Sequence, residues 1–181
     1  MRAKGNKMIA TDRLILRKFN KEDINDFHEI FSQTEVVKYL PIEPLTYKEA
    51  VDKLDNIINN LSDLDKEKPK FILAVQLKEN NKVIGWVGSG PLPFAEEKIE
   101  LFYALHSAYW KKGFAFEAAS GLLNFLRDEY DIKPIYALVD DNNRGSVKIL
   151  KKLNFTFEKK VEIEKDKYRF FNGLDLYKLK E

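Results

Sequence analysis

The chain has 181 residues, 44% of them hydrophobic, with 31 basic against 29 acidic side chains and a net charge of +2. That length suits one domain, residues 1–181, with a sizeable core, and the balanced charge gives no general electrostatic case for nucleic acid or an anionic membrane surface. The absence of cysteine excludes a disulfide framework, a thiol nucleophile and a Cys-based metal site.

No apolar run reaches membrane-spanning length and the N-terminus lacks an apolar signal core, so the expectation is a cytoplasmic protein without a membrane partner. Met1 to Lys7 is basic and featureless and is read as a frayed end, with Met8 a candidate start. From Thr11 to Arg17, Leu14 and Leu16 alternate with polar neighbours, which predicts the first strand. Asn20 stands three residues before Asp23, a cap-like opening to a helix carrying Ile24, Phe27, Ile30 and Phe31 on one face. Pro41 and Pro44 break the chain, and Tyr47 to Leu64 reads as a second helix.

Phe71 to Leu77 and Lys82 to Gly88 are β-rich runs joined across Asn80-Asn81, which tolerates left-handed dihedrals and predicts a hairpin. Gly90-Pro91-Leu92-Pro93 predicts a loop before a strand from Ile99 to Leu105. Beyond a basic glycine turn, Ala115, Ala119, Leu122, Leu126 and Tyr130 recur at helical spacing. Ile135 to Val139 predicts a strand, Ser146 to Leu153 a short helix, and Phe155 onward and Leu174 to Leu179 two more strands. The charged run Glu158 to Lys167 reads as a solvated strand or hairpin.

The turn before the long helix is the first candidate site. A helix N-terminus leaves backbone N–H groups unpaired and carries the positive end of the macrodipole, so it suits an anion such as phosphate. Gly113 permits dihedrals and close approach that a Cβ would obstruct, while Lys111 and Lys112 add positive charge. Read without further context, such a turn is more often a solvated connection.

The run from Tyr109 through Ala118, Tyr-Trp-Lys-Lys-Gly-Phe-Ala-Phe-Glu-Ala, resembles the acetyl-CoA pyrophosphate loop of the GCN5-related N-acetyltransferases (GNAT), in the branch that acetylates ribosomal-protein N-termini. That branch commonly reads Tyr-Trp-Gly-Lys-Gly-Tyr-Ala-Thr-Glu-Ala, so Lys111 replaces a glycine and Phe116 a threonine. Thr11 to Arg17 is similar to the family's N-terminal signature, and Asn143 to Phe155 to its second block, with Asn154 where glycine is usual and Leu150 where tyrosine is common. The resemblance spans nearly the whole chain. It implies an α+β GNAT fold, a mixed and mostly antiparallel sheet splayed between its fourth and fifth strands and flanked by helices.

The resemblance also implies acetyl-CoA as cosubstrate, no metal, and an amine acceptor that is a protein N-terminus or a small molecule; the protein would be a monomer or homodimer. Lys111, Lys112, Gly113, Phe114 and Ala115 would hold the pyrophosphate and Asn143 the pantetheine. A backbone N–H at Ala104 or Leu105 would serve the oxyanion, and Ser146 could face the thioester sulfur. Glu100 matches a family glutamate and is the candidate base. Read from the residues alone, Asn143 and Ser146 are a turn and a helix cap, and Glu100 one polar position of an alternating strand. His106 is read as structural or cofactor-adjacent. Two other readings stand beside the transferase: a non-catalytic acyl-CoA binding or sensing module, and a nucleic-acid binder built on Lys111, Lys112, Lys151 and Lys152, which the near-neutral charge disfavours.

Overall fold

The computed structural model describes residues 8–60 and 69–180, so the expectations for Met1 to Lys7 and for the helix beyond position 60 lie outside the described residues. The strands are β1 (Ile9–Ala10), β2 (Leu14–Lys18), β3 (Phe71–Leu77), β4 (Val83–Leu92), β5 (Ala95–Leu105), β6 (Ile135–Val139), β7 (Phe155–Lys160) and β8 (Asp175–Leu179). The helices are α1 (Ile24–Phe31), α2 (Thr34–Val37), α3 (Tyr47–Asn60), α4 (Phe114–Tyr130) and α5 (Arg144–Lys152). All eight strands form one sheet in the order β1-β2-β3-β4-β5-β6-β8-β7. Every neighbouring pair is antiparallel except β5 and β6, which α4 connects as a crossover.

Alternation along the strands sends side chains to two helical layers. Leu14, Leu16, Leu73, Val75, Leu101 and Leu105 join the faces of α4 and α5 in the larger core. Ala74 and Trp86 face α1 and α3, whose Phe27, Phe31, Ala50 and Leu54 are buried. The long β4 and β5 correct the expected loop at Gly90 to Pro93: Gly90, Pro91 and Leu92 are strand, and the chain turns at Pro93 and Phe94. Pro91 is tolerated there because the β3–β4 register stops at Phe71↔Ser89, so its missing N–H leaves no neighbour unpaired on that side, and a register irregularity follows it.

Three local expectations differ in detail. A 3-10 turn at Lys21–Asp23 precedes α1, and Asn20 N–H donates to Asp23 Oδ2 at 2.9 Å. Of the charged run, Glu158 to Lys160 are the exposed end of β7, as expected, while Glu162 to Lys167 are a loop and the start of a 3-10 turn (Asp166–Phe171), anchored by Val161, which is buried beside Leu92, Tyr136 and Leu176. α5 begins two residues before Ser146, and its cap is Asn143, whose Oδ1 accepts the Ser146 N–H at 3.2 Å.

The expected left-handed positions are present at Asn81 (φ 61°) and Asn154 (φ 67°). Asn154 lets the chain reverse from α5 into β7, and its carbonyl accepts the Lys180 N–H. Asn154→Ala is expected to cost about 1 kcal/mol, because an L side chain without a local polar group is disfavoured at positive φ, whereas Asn154→Gly should cost nothing. Urea unfolding of the two variants checks this.

Candidate active site

The site is organised by a ladder that stops. β5 pairs with β6 only at Ile99↔Ile135 and Glu100↔Tyr136, yet β5 runs on to Leu105 and β6 to Val139. The two strands therefore diverge beyond Glu100, which is the expected splay between the sheet halves. On the other edge of β5, His106 N–H donates to Ile84 O at 2.8 Å, and Leu105 lies opposite Gly85. Alternation in an antiparallel pair then gives the N–H of Ala104 to β4 and turns those of Tyr103 and Leu105 into the gap. Of the two expected backbone donors, Leu105 thus faces the gap and Ala104 does not. The Leu105 carbonyl accepts the Trp110 indole N–H at 2.7 Å, which leaves its amide as the open group.

At the open end of the gap lies the basic turn. Gly113 is the residue before α4 and has φ 85°, and Lys111 is also left-handed at φ 61°. A lysine thus takes the conformation for which glycine is better suited. The first intrahelical bond runs from Glu117 N–H to Gly113 O at 3.0 Å, so the N–H groups of Phe114, Ala115 and Phe116 have no helical acceptor. Lys111, Lys112 and Gly113 form the turn and are exposed, and Phe114 and Ala115 open α4.

Arg13 and Glu117 hold this turn. Glu117 accepts the Thr11 hydroxyl at 2.6 Å and, at 2.7 Å each, the Arg13 amide and Nε. Arg13 Nη1 donates to Lys112 O at 3.1 Å, and its guanidinium lies 4.2 Å from the centre of the Phe114 ring. Burial raises the Glu117 pKa, but the Thr11 and Arg13 hydrogen bonds outweigh it and hold the carboxyl below its ordinary value. Both residues are visible in the sequence motifs, but their contact across 104 positions is not.

Glu100 sits at the vertex of the gap, in register with Gly90 on one side and Tyr136 on the other. Its side chain shares the face of Phe102 and Ala104 and remains partly exposed. Burial pushes its carboxyl up to about 8. Ser146 approaches from the opposite face, on α5. Beside Ser146 stands a residue that sequence reasoning missed. Tyr103 extends from β5 to within 3.5 Å of the Ser146 carbonyl, and burial pushes its phenol up to about 12. Alternation along β5 was the available signal for it, since it places Tyr103 with Leu101 and Leu105 on the α4–α5 side. Leu150, at the position of the family's common tyrosine, is buried in the core.

Asn143 lies at the C-terminal end of the gap, after β6. Its Oδ1 caps α5, and its Nδ2 has no partner among the described residues. His106 Nε2 lies 3.2 Å from Glu29 and its Nδ1 accepts the Ala108 N–H, so both ring nitrogens are occupied structurally. Among the described residues no group of three or more His, Asp or Glu side chains is placed to hold a metal ion, and no helix is long and apolar enough to cross a membrane.

The GNAT acetyltransferase domain model matches residues 13–156. The uncharacterized N-acetyltransferase p20 of Bacillus licheniformis is 33% identical over 150 residues, 83% of each chain. A GNAT-family acetyltransferase structure from Bacillus anthracis superposes with a TM-score of 0.76 at 24% identity, covering 95% of this chain and 96% of that one. A RimL ribosomal-protein acetyltransferase solved with coenzyme A superposes with a TM-score of 0.74 at 13% identity, covering 95% and 97%.

The lock between Glu117, Thr11 and Arg13 yields a prediction. Glu117→Ala should lower stability by about 1–3 kcal/mol at neutral pH, the cost of leaving hydrogen-bonded partners unsatisfied, reduced by the exposure of Arg13. Because the folded-state pKa of Glu117 is depressed, its contribution is present above the ordinary carboxylate pKa and lost as pH falls through the lowered one. The gap in urea midpoint between wild type and variant should therefore narrow in acid.

Proposed function

The chain belongs to the GNAT acetyltransferase family, and from that premise we propose that it transfers the acetyl group of acetyl-CoA to a primary amine, a protein N-terminus or a small-molecule amine, by direct attack. The observation that carries this reading is the convergence on one gap of an anion-ready helix end, an open strand edge and a desolvated carboxyl. The pyrophosphate would lie on the N–H groups after Gly113, with Lys111 and Lys112 neutralising it. The pantetheine arm would then add along the β5 edge like a short strand, its amides meeting Tyr103, Leu105 and the free Nδ2 of Asn143.

In the reaction the amine nitrogen bonds to the thioester carbon, the oxyanion takes a gap-facing amide, and the amine gives up a proton to Glu100. The carbon–sulfur bond then breaks and the thiolate leaves. The carboxyl at about 8 suits this role. An α-ammonium titrates near 8, so its proton would pass to Glu100 at almost no cost, whereas a lysine ammonium near 10.4 would face a cost of about 3.3 kcal/mol. This match favours an α-amine acceptor, in keeping with the activity named for the RimL neighbour.

Tyr103 has a different part. A phenol at about 12 does not readily surrender its proton to a thiolate whose thiol titrates near 8.5. It would therefore stabilise the leaving sulfur as a neutral hydrogen-bond donor beside Ser146, while the sulfur takes its proton from solvent.

Glu100→Gln keeps size and removes basicity. The rate on an α-amine peptide is expected to fall by about 10²–10⁴ at neutral pH, a loss that shrinks as pH rises through about 8 and the amine deprotonates unaided. Coenzyme A release across pH 6 to 9 measures both, and an unchanged profile removes Glu100 from the mechanism. Stability offers a separate reading of the same group. With its folded-state pKa raised, the neutral carboxyl's contribution is complete below the ordinary carboxylate pKa and is lost as pH rises through about 8, so the Gln variant should lose less stability in that window. Tyr103→Phe should lower kcat by about 10- to 100-fold, the worth of one hydrogen bond to a charged group, with little change in the acetyl-CoA Michaelis constant. Steady-state kinetics with acetyl-CoA varied separates the two.

A further inference from the structure

Remote from the gap, a second cavity of about 720 Å³ opens between the C-terminal ends of α4 and α5, the start of β6 and the paired ends of β7 and β8. Its nearest α4 residue, Leu123, lies ten positions along the helix from Gly113, roughly 15 Å. Leu123, Ile135 and Phe155 form a buried apolar floor, with Ile132 and Leu179 beside them. Around the rim stand Arg127, Lys133, Lys151 and Lys180, all exposed, and among the described residues no acidic side chain lines the cavity. Lys133 has an ion pair with Asp131 at 3.5 Å. Arg127, Lys151 and Lys180 have none among the described residues.

Basic residues in the last turn of a helix complement its macrodipole, and that explains Arg127 in α4 and Lys151 in α5. It does not explain Lys133, on the connection into β6, or Lys180, after β8. Nor does it explain why cations from four separate segments converge on one apolar hollow. Like charges within a Debye length repel, and the arrangement becomes favourable when an anion sits among them. A hollow of this size with an apolar floor and a few converging polar groups has the form of a small-molecule site. We propose that it is a second ligand site, separate from that of acetyl-CoA, for a small organic anion with an apolar body: a carboxylate, sulfonate or phosphate ester carrying an aromatic or branched group. The charge would meet the rim and the body would cover Leu123, Ile135 and Phe155.

The test uses the full chain in the presence of saturating coenzyme A, so that the proposed acetyl-CoA site is filled. Titration with the fluorophore anilinonaphthalene sulfonate should show saturable one-to-one binding that weakens as salt is added. The uncharged analogue phenylnaphthylamine should bind at least about tenfold more weakly, as should the sulfonate to a Lys151→Glu, Lys180→Glu double variant, whose changes lie on exposed positions. Backbone amide shifts in the wild-type protein should cluster at Asn154, Thr156 and Leu179. Absence of saturable binding, equal affinity of the double variant with an unchanged melting temperature, or shifts centred elsewhere would overturn the proposal. Loss of acetyltransferase activity in Glu100→Gln, or its retention, leaves this result untouched, so the two readings fail independently.

Discussion

Everything distinctive about the site descends from the shortness of one parallel pairing. β5 has eleven residues and β6 five, but only two from each strand are in register. β6 spends its far edge on β8 from Tyr136 to Val139 and follows that antiparallel partner away from β5. What remains is a strand edge whose N–H groups at Tyr103 and Leu105 have no sheet partner. Open edges are normally a liability, and covering or pairing them is the usual remedy. Here the edge is flanked by helices on both faces, and the Trp110 indole occupies the Leu105 carbonyl at its end, so the edge is recessed from another sheet.

The same divergence sets the electrostatics. Glu100 sits where the sheet begins to open, close enough to packed neighbours to lose much of its hydration and too far from any cation to recover it. Desolvation is the whole cause of its raised pKa. Glu117, also partly desolvated, behaves oppositely because three donors surround it. Two glutamates in one site are thus shifted in opposite directions, Glu100 upward by burial without a partner and Glu117 downward by its hydrogen bonds and the neighbouring Arg13 charge. The clamp ties the chain before β2 to α4, so the helix end offered to an anion is fixed by contacts from the far side of the sheet.

Much of this architecture can be read from the residues. Leu14 and Leu16 are fully buried as their alternation requires, and α4 follows its apolar spacing from Phe114 to Tyr130. The strand Ile135 to Val139 and the left-handed Asn81 and Asn154 also follow from local chemistry. These features depend on period, side-chain shape and backbone preference over a few neighbours. Gly90-Pro91 misleads because local turn propensity competes with a strand whose outer side has no neighbour to miss the proline N–H, and that vacancy is a property of the sheet.

The sequence by itself determined the elements, the basic turn and the family motifs, because each is carried by residues close together in the chain. Only the tertiary structure decided that Leu105 rather than Ala104 faces the gap, since hydrogen-bond direction depends on which strand lies alongside. It alone paired Arg13 with Glu117, reached Tyr103 across to Ser146, and raised the carboxyl of Glu100 by burial. It also gathered Arg127, Lys133, Lys151 and Lys180 around one hollow. Desolvation and long-range contact are sums over neighbours that the fold assembles from distant positions, and no local pattern in the chain encodes them.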